Sequence, residues 1–212
     1  LYISNNILLM INIGLFGFGR IGRAIARQII DSTNFQLIFI CDENPSLENV
    51  SYLLKYDSNY GRLKHEISSS NNQILINEVK KIIYYHANQL NDINYSKVDL
   101  IIDATGSKKL SLILEKTIEK NELRLIQTNS ADVKAEKIIF GINEKNLLKI
   151  KARKICSSTC DANGCGSIIN AISQFYDFEF GNITILHPWS NYQNLLDGPS
   201  MMYSEKNKIF NN

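Results

Sequence analysis

Ile11-Asn12-Ile13-Gly14-Leu15-Phe16-Gly17-Phe18-Gly19-Arg20-Ile21-Gly22, followed by Arg23-Ala24-Ile25-Ala26-Arg27-Gln28-Ile29-Ile30, reads as an apolar strand, a glycine-rich turn and an amphipathic helix. That is the order a dinucleotide site needs. Gly17 permits the tight turn, Gly19 lets the backbone approach a pyrophosphate, and Gly22 lets the helix pack close to the strand. The helix N-terminus then offers N–H groups and a partial positive charge to that anion. A second apolar run, Leu37-Ile38-Phe39-Ile40-Cys41, ends at Asp42, twenty residues after Gly22. An acidic side chain there accepts hydrogen bonds from an adenosine ribose. Its charge repels a 2′-phosphate, which favours NAD over NADP.

The pattern continues outward from this unit. Leu47 to Tyr56 is expected to be a helix, with Ser46 as N-cap and Val50, Leu53 and Leu54 at helical spacing. Residues 57–62 are turn-like. Leu63–Ile67 and Gln73–Ile76 read as paired short strands across a Ser/Asn-rich turn, and Lys80–Tyr85 as another strand. Val98 to Ala104 is a buried strand ending in Thr105-Gly106, followed by a helix from Lys108 to Lys120. Leu123–Thr128 and Ile138–Phe140 are expected to be strands. Strands alternating with helices, joined by short connections, predict an α/β fold with a doubly wound parallel sheet. A second unit is expected from residue 154, with a helix over 161–174, a strand over 182–187 and a turn at 196–200. Two short elements bury too little surface to stand as an independent domain. The expected division is therefore 1–153, with 1–9 as an extension, and 154–212.

Composition narrows the function classes. The chain has 212 residues, 44% of them hydrophobic, and a net charge of +2, which gives no electrostatic case for nucleic acid. The dispersed basic residues read as solvated surface. No apolar run reaches the roughly 18–20 residues of a membrane span. The apolar start lacks a basic region and a small-residue cleavage site, so no signal peptide is read. Cys156, Cys160 and Cys165 cluster, but their spacing and the lack of a nearby His pair argue against zinc. No secretion signal supports a disulfide framework.

Cys160 stands at the expected N-terminus of a helix, where the dipole and N–H groups favour a thiolate. His187 ends the next strand, twenty-seven residues later. From the residues alone, the two are either an activated nucleophile with its acid/base, or a structural thiol and an incidental histidine. Cys156 and Cys165 read as packing, and His65 and His86 receive no role. Beside a dinucleotide, a reactive thiol adds to an aldehyde to give a hemithioacetal. Hydride then leaves to the nicotinamide, and phosphate or water cleaves the resulting thioester.

The chain resembles the glyceraldehyde-3-phosphate dehydrogenase family, erythrose-4-phosphate dehydrogenase being a near relative. The resemblance rests on residues 13–23, Tyr56-Asp57-Ser58-Asn59-Tyr60-Gly61, Ala104-Thr105-Gly106 and Gly141-Ile142-Asn143-Glu144. It continues through Ser158-Thr159-Cys160-Asp161-Ala162-Asn163 to His187 and Asp197-Gly198-Pro199-Ser200. It implies a Rossmann domain followed by the start of an α+β catalytic domain, with NAD as cofactor. Gly17, Phe18, Gly19, Arg20, Ile21 and Asp42 would contact the cofactor, with Thr105, Gly106 and Ser130 further along the strand tips. Cys160 would be the nucleophile, His187 its base, and Thr159 and Ser190 would face the substrate. The implied reaction is the glycolytic, cytoplasmic conversion of glyceraldehyde 3-phosphate, with inorganic phosphate, to 1,3-bisphosphoglycerate.

Several positions depart from the family. Asp161 and Ala162 stand where two threonines help bind phosphate. A carboxylate about 4 Å from a phosphate is repelled by about 1 kcal/mol even at a water-like dielectric. Asp161 is equally a good helix-start residue. Gly164 is an extra residue that would bend or shift the helix, and Pro188, Trp189 and Cys41 also differ from the family. About a third of the family pattern has no counterpart, including a phosphate-binding arginine, a nicotinamide-binding asparagine and most of the catalytic-domain sheet. The family's homotetramer is accordingly expected to assemble weakly or not at all. The alternatives are a catalytically incomplete NAD-binding remnant, or a divergent dehydrogenase for an unphosphorylated aldehyde.

Overall fold

The computed structural model describes residues 10–128, 135–148 and 153–186. Strand β1 (Ile11–Phe16) leads into helix α1 (Arg20–Asp31), strand β2 (Phe35–Asp42) and helix α2 (Leu47–Lys55). A two-residue pairing of β3 (Tyr56–Asp57) with β4 (Gly61–Arg62) follows, then β5 (Ile67–Ser70), β6 (Gln73–Ile76) and β7 (Lys80–His86). Next come β8 (Leu100–Asp103), α3 (Lys108–Asn121), β9 (Arg124–Gln127), β10 (Glu136–Lys137), β11 (Lys154–Cys156) and α4 (Cys160–Ser173).

The main sheet runs β10-β11-β9-β8-β1-β2-β7-β6-β5. From β10 to β7 every pairing is parallel; β6 and β5 append an antiparallel hairpin to that edge. This is the expected α/β, Rossmann-type arrangement. The aliphatic strands explain it, because both faces are covered. Leu15, Ile40 and Val50 lie in one core cluster, and Phe16, Phe39 and Leu114 in the other. Phe39 anchors the second cluster through edge-to-face contacts with Phe16 and Tyr85. Ser46 caps α2 as expected, its hydroxyl accepting from the Asn49 amide at 3.1 Å.

Three strand expectations are corrected. The strand expected over 63–67 forms over Ile67–Ser70, because Leu63 turns inward as a core residue beyond the β3–β4 turn. The strand expected at 138–140 falls instead on Glu136–Lys137. There the Asn143 side chain holds Ile139 N and Lys137 O in a turn. Residues 182–186 form no strand and are exposed; the rest of that expected strand and the turn at 196–200 lie outside the described residues. Lys154–Cys156 pairs with β9 in the main sheet, so that sheet extends past residue 153. Helix α4 runs unbroken through Gly164.

Two basic residues expected at the surface are buried. Arg23 pairs with Asp57 at 3.4 Å and donates to the Phe18 carbonyl at 3.3 Å. Arg27 donates to the carbonyls of Lys55 and Gly61. Together they tie α1 to the end of α2 and to the β3–β4 turn. Burial pushes the Asp57 carboxyl up, but amide hydrogen bonds from Tyr60 and Asn59 and the Arg23 guanidinium outweigh it and hold it below its ordinary range. Among the described residues, no helix is long and apolar enough to cross a membrane.

Candidate functional site

The C-terminal ends of the parallel strands form one continuous edge, stitched by backbone hydrogen bonds just past each strand. Gly17 N donates to Cys41 O (2.8 Å) and Ala104 N to Phe16 O (2.7 Å). Thr128 N donates to Asp103 O and Ser157 N to Gln127 O, both at 2.9 Å. The glycine turn, Asp42, the Thr105-Gly106 tip and the segment leading into α4 therefore share an edge. In open α/β sheets, ligands bind along that edge.

Gly17 and Gly22 are required by the protein itself. Gly17 has φ +86°, and a Cβ there would lie 2.6 Å from the Ala104 carbonyl carbon. A Cβ on Gly22 would lie 2.0 Å from the Gly17 oxygen. Gly19 differs. Its φ is −68°, which any residue adopts, and a Cβ there would meet nothing within 4 Å. The fold has no use for a missing side chain at Gly19; a ligand approaching the turn does.

First-turn amides of an α-helix have no acceptor within the helix. The first turn of α1 carries no acidic residue to neutralise its positive end. Arg20 is half-buried and Ile21 is exposed on that same turn. Phe18 is engaged within the protein. Its ring is in the core, its N–H donates to Asp42 Oδ2 at 2.6 Å, and its carbonyl accepts from Arg23. The Asp42 carboxylate also accepts from Asn44 N at 2.9 Å, which fixes it at the end of β2. Each carboxylate oxygen keeps a second lone pair for a hydroxyl donor. Beside it, burial and the Asp42 charge push the Cys41 thiol up to about 12, so Cys41 is a packing thiol.

At the next strand tip, Thr105 gives its hydroxyl proton to Asp103 Oδ1 (2.7 Å) and accepts from Ser107 N (3.1 Å). Its hydroxyl shapes the turn, leaving backbone at the edge, where Gly106 adopts φ +67°. Asp103 is fully buried and also accepts from Ser111 at 2.6 Å, which locks α3 to the tip. Sequence reasoning passed over Asp103. Its signal was an Asp placed three residues before a Gly in a strand–turn–helix link, where its side chain accepts from the amide two residues on.

Of the four cysteines, Cys160 alone is exposed. It opens α4, with Thr159 as N-cap accepting from Ala162 N at 3.1 Å. Ser158, buried just before the cap, has φ +62°. Such a conformation in a non-glycine residue stores about 1–3 kcal/mol. Asn163 holds this elbow through the Ser157 and Thr159 carbonyls at 2.6 and 2.8 Å. The first turn of α4 carries Asp161, whose Oδ1 lies 3.5 Å from Cys160 Sγ. Three strand spacings of about 4.8 Å separate the ends of β11 and β1, roughly 14 Å along the edge. Ser130, His187 and Ser190 lie outside the described residues.

Residues 11–110 match the family model "Glyceraldehyde 3-phosphate dehydrogenase, NAD binding domain". Over 194 residues the chain is 30% identical to glyceraldehyde-3-phosphate dehydrogenase 1 of Kluyveromyces marxianus, covering 90% of this chain and 57% of the relative. It is 29% identical over 196 residues to glyceraldehyde-3-phosphate dehydrogenase 3 of Saccharomyces cerevisiae, with the same coverage. The Lactobacillus delbrueckii subsp. bulgaricus glyceraldehyde-3-phosphate dehydrogenase is 26% identical over 197 residues, 89% of this chain and 57% of the relative. The chain thus spans 57% of the length of these curated relatives.

Proposed function

Because the chain belongs to the glyceraldehyde-3-phosphate dehydrogenase family, we propose that it oxidises an aldehyde with NAD bound along the strand ends and Cys160 as nucleophile. The observation that carries this is the open space at Gly19, beside an α1 N-terminus whose first turn carries no acidic residue. The residues fit NAD. Gly19 admits the pyrophosphate, Asp42 takes the adenosine ribose, and Thr105 and Gly106 line the far side of the turn. NAD supplies a two-electron acceptor when bound.

The protein's own groups do the rest. Cys160 sits past β11 on the same edge, so an extended ligand lying along the strand ends joins the glycine turn to the thiol. The exposed Sγ attacks the carbonyl carbon of the aldehyde. Loss of the aldehydic hydride leaves a thioester on Sγ, and phosphate displaces it to give an acyl phosphate. His187 takes the thiol proton in this reading. Thr159 holds the start of α4 in place, with Ser190 at the substrate and Ser130 at the cofactor. Glyceraldehyde 3-phosphate is the substrate proposed. Asp161 favours a second reading, an unphosphorylated aldehyde, because its carboxylate lies beside the thiol.

Calorimetry with Gly19→Ala tests the site. Alanine at a glycine N-cap loses at most about 1 kcal/mol of stability. A Cβ pointing at the pyrophosphate should weaken NAD binding at least about tenfold, since close backbone approach is what that glycine provides. Equal NAD affinity in the two proteins would remove the pyrophosphate from this turn. Thioester formation measured with glyceraldehyde 3-phosphate and with glyceraldehyde then separates the two substrate readings.

A further inference from the structure

We infer that the Tyr84 hydroxyl is a positioning group that holds Asp42 for the adenosine ribose and so sets the preference for NAD over NADP. This rests on the reading of Asp42 given under Proposed function. Tyr84 lies on β7, which pairs with β2 so that Asp42 stands opposite His86. Its ring is buried in the core beside the β5–β6 hairpin, a place a phenylalanine would fill equally well. The hydroxyl serves something else. It donates to the Asn44 carbonyl at 2.5 Å, with the Asp42 carbonyl 3.3 Å away.

Those two carbonyls bracket the turn that leaves β2. Within it, Asn44 N donates to Asp42 Oδ1, and Asn44 Oδ1 accepts from Ser46 N. Asn44 is itself buried, and its side-chain amide donates to Asn49 Oδ1 at 2.8 Å. His86 reaches the same turn at the Glu43 carbonyl, 3.2 Å from Nε2. The carboxylate is thus aimed by a turn that is itself pinned from β7 and from α2. Burial, then the neighbouring Asp42 charge, pushes the Tyr84 phenol above its ordinary range, so it remains a proton donor. Without the hydroxyl, the Asn44 carbonyl loses its partner and the carboxylate gains freedom to swing. A ribose diol then meets a less organised acceptor, while a 2′-phosphate meets a less fixed negative charge.

The experiment is calorimetric titration of the whole chain with NAD and with NADP, comparing Tyr84→Phe, Asp42→Ala and the parent. Tyr84→Phe should lower NAD affinity about three- to tenfold, the range for one hydrogen bond. NADP affinity should hold or rise, so the NAD:NADP ratio falls. A parallel fall in both affinities, or no change in either, overturns the inference. Asp42→Ala separates the two levels. If it leaves the ratio unchanged, the ribose reading fails and this inference with it; if it shifts the ratio and Tyr84→Phe does not, only the Tyr84 inference fails. Should Tyr84→Phe not fold, Asn49→Ala releases the turn from the α2 side. It should lower the ratio in the same direction, and an unchanged ratio there overturns the inference.

Discussion

Replacing Arg23 with methionine should lower the stability of this protein by about 3–5 kcal/mol, the range for breaking a buried ion pair from one side. In a chain of this size that is a fall in Tm of roughly 6–20 °C. Arg23 is 1% exposed and the Asp57 side chain 4%. Methionine fills the volume but leaves the Asp57 carboxylate with amide donors on Oδ1 and no cation at Oδ2. It also frees the Phe18 carbonyl at the glycine turn. Asp57→Asn in the same protein should recover much of the loss, because the stranded charge is gone.

The pH dependence has a definite sign. The Asp57 carboxyl is held below its ordinary value in the folded chain, so it contributes stability above the unfolded value near 3.9 and loses it as pH falls through the lower folded value. Removing Arg23 takes away part of that lowering. The stability gap between the parent and Arg23→Met should therefore narrow as the pH drops below about 4. Chemical denaturation at pH 7 and pH 3.5 measures it, and a gap that stays constant would mean Arg23 acts through packing alone.

The glycine turn and the first two strands were legible because their signals are local. A six-residue, mostly apolar strand, fixed glycine spacing and an acid at the next strand end constrain one another within about thirty residues. Ser46 was legible for the same reason, since a cap acts on its own helix. The two buried arginines were not. Arg23 and Arg27 are buried because residues thirty positions away, at 55–61, fold back over α1. No periodicity within the helix announces that. The short strands β10 and β11 carry too few residues for an alternation, and only their pairing with each other and with β9 makes them strands. At the site, Cys160 was found from its place before a helix. Asp103, Tyr84 and the positive φ of Ser158 act on the site through neighbours, and their roles exist only once strands β2, β7, β8 and β11 have joined one sheet.

Cys160→Ser should abolish acyl-enzyme formation while leaving NAD binding as it was. Serine keeps the helix start, because the cap is made by the Thr159 hydroxyl and the elbow is held by the Asn163 side-chain amide. What changes is the nucleophile. A thiol has a usable thiolate fraction at neutral pH, and an alkoxide does not without a strong base beside it. Loss of a nucleophile that works with its base as a unit lowers turnover by about 10⁴-fold or more. The test is a rapid-mixing measurement with saturating NAD, following reduction of the cofactor in the first turnover before phosphate is added. The parent should give a burst near one equivalent and the variant none. Asp161→Thr is the companion experiment, since it removes the carboxylate 3.5 Å from Sγ and leaves the thiol in place. It should raise the burst rate, and raise it more for glyceraldehyde 3-phosphate than for glyceraldehyde, because only the former carries an anion to be repelled. A burst that survives in Cys160→Ser would move the nucleophile elsewhere, and no other cysteine of the chain is exposed to take its place.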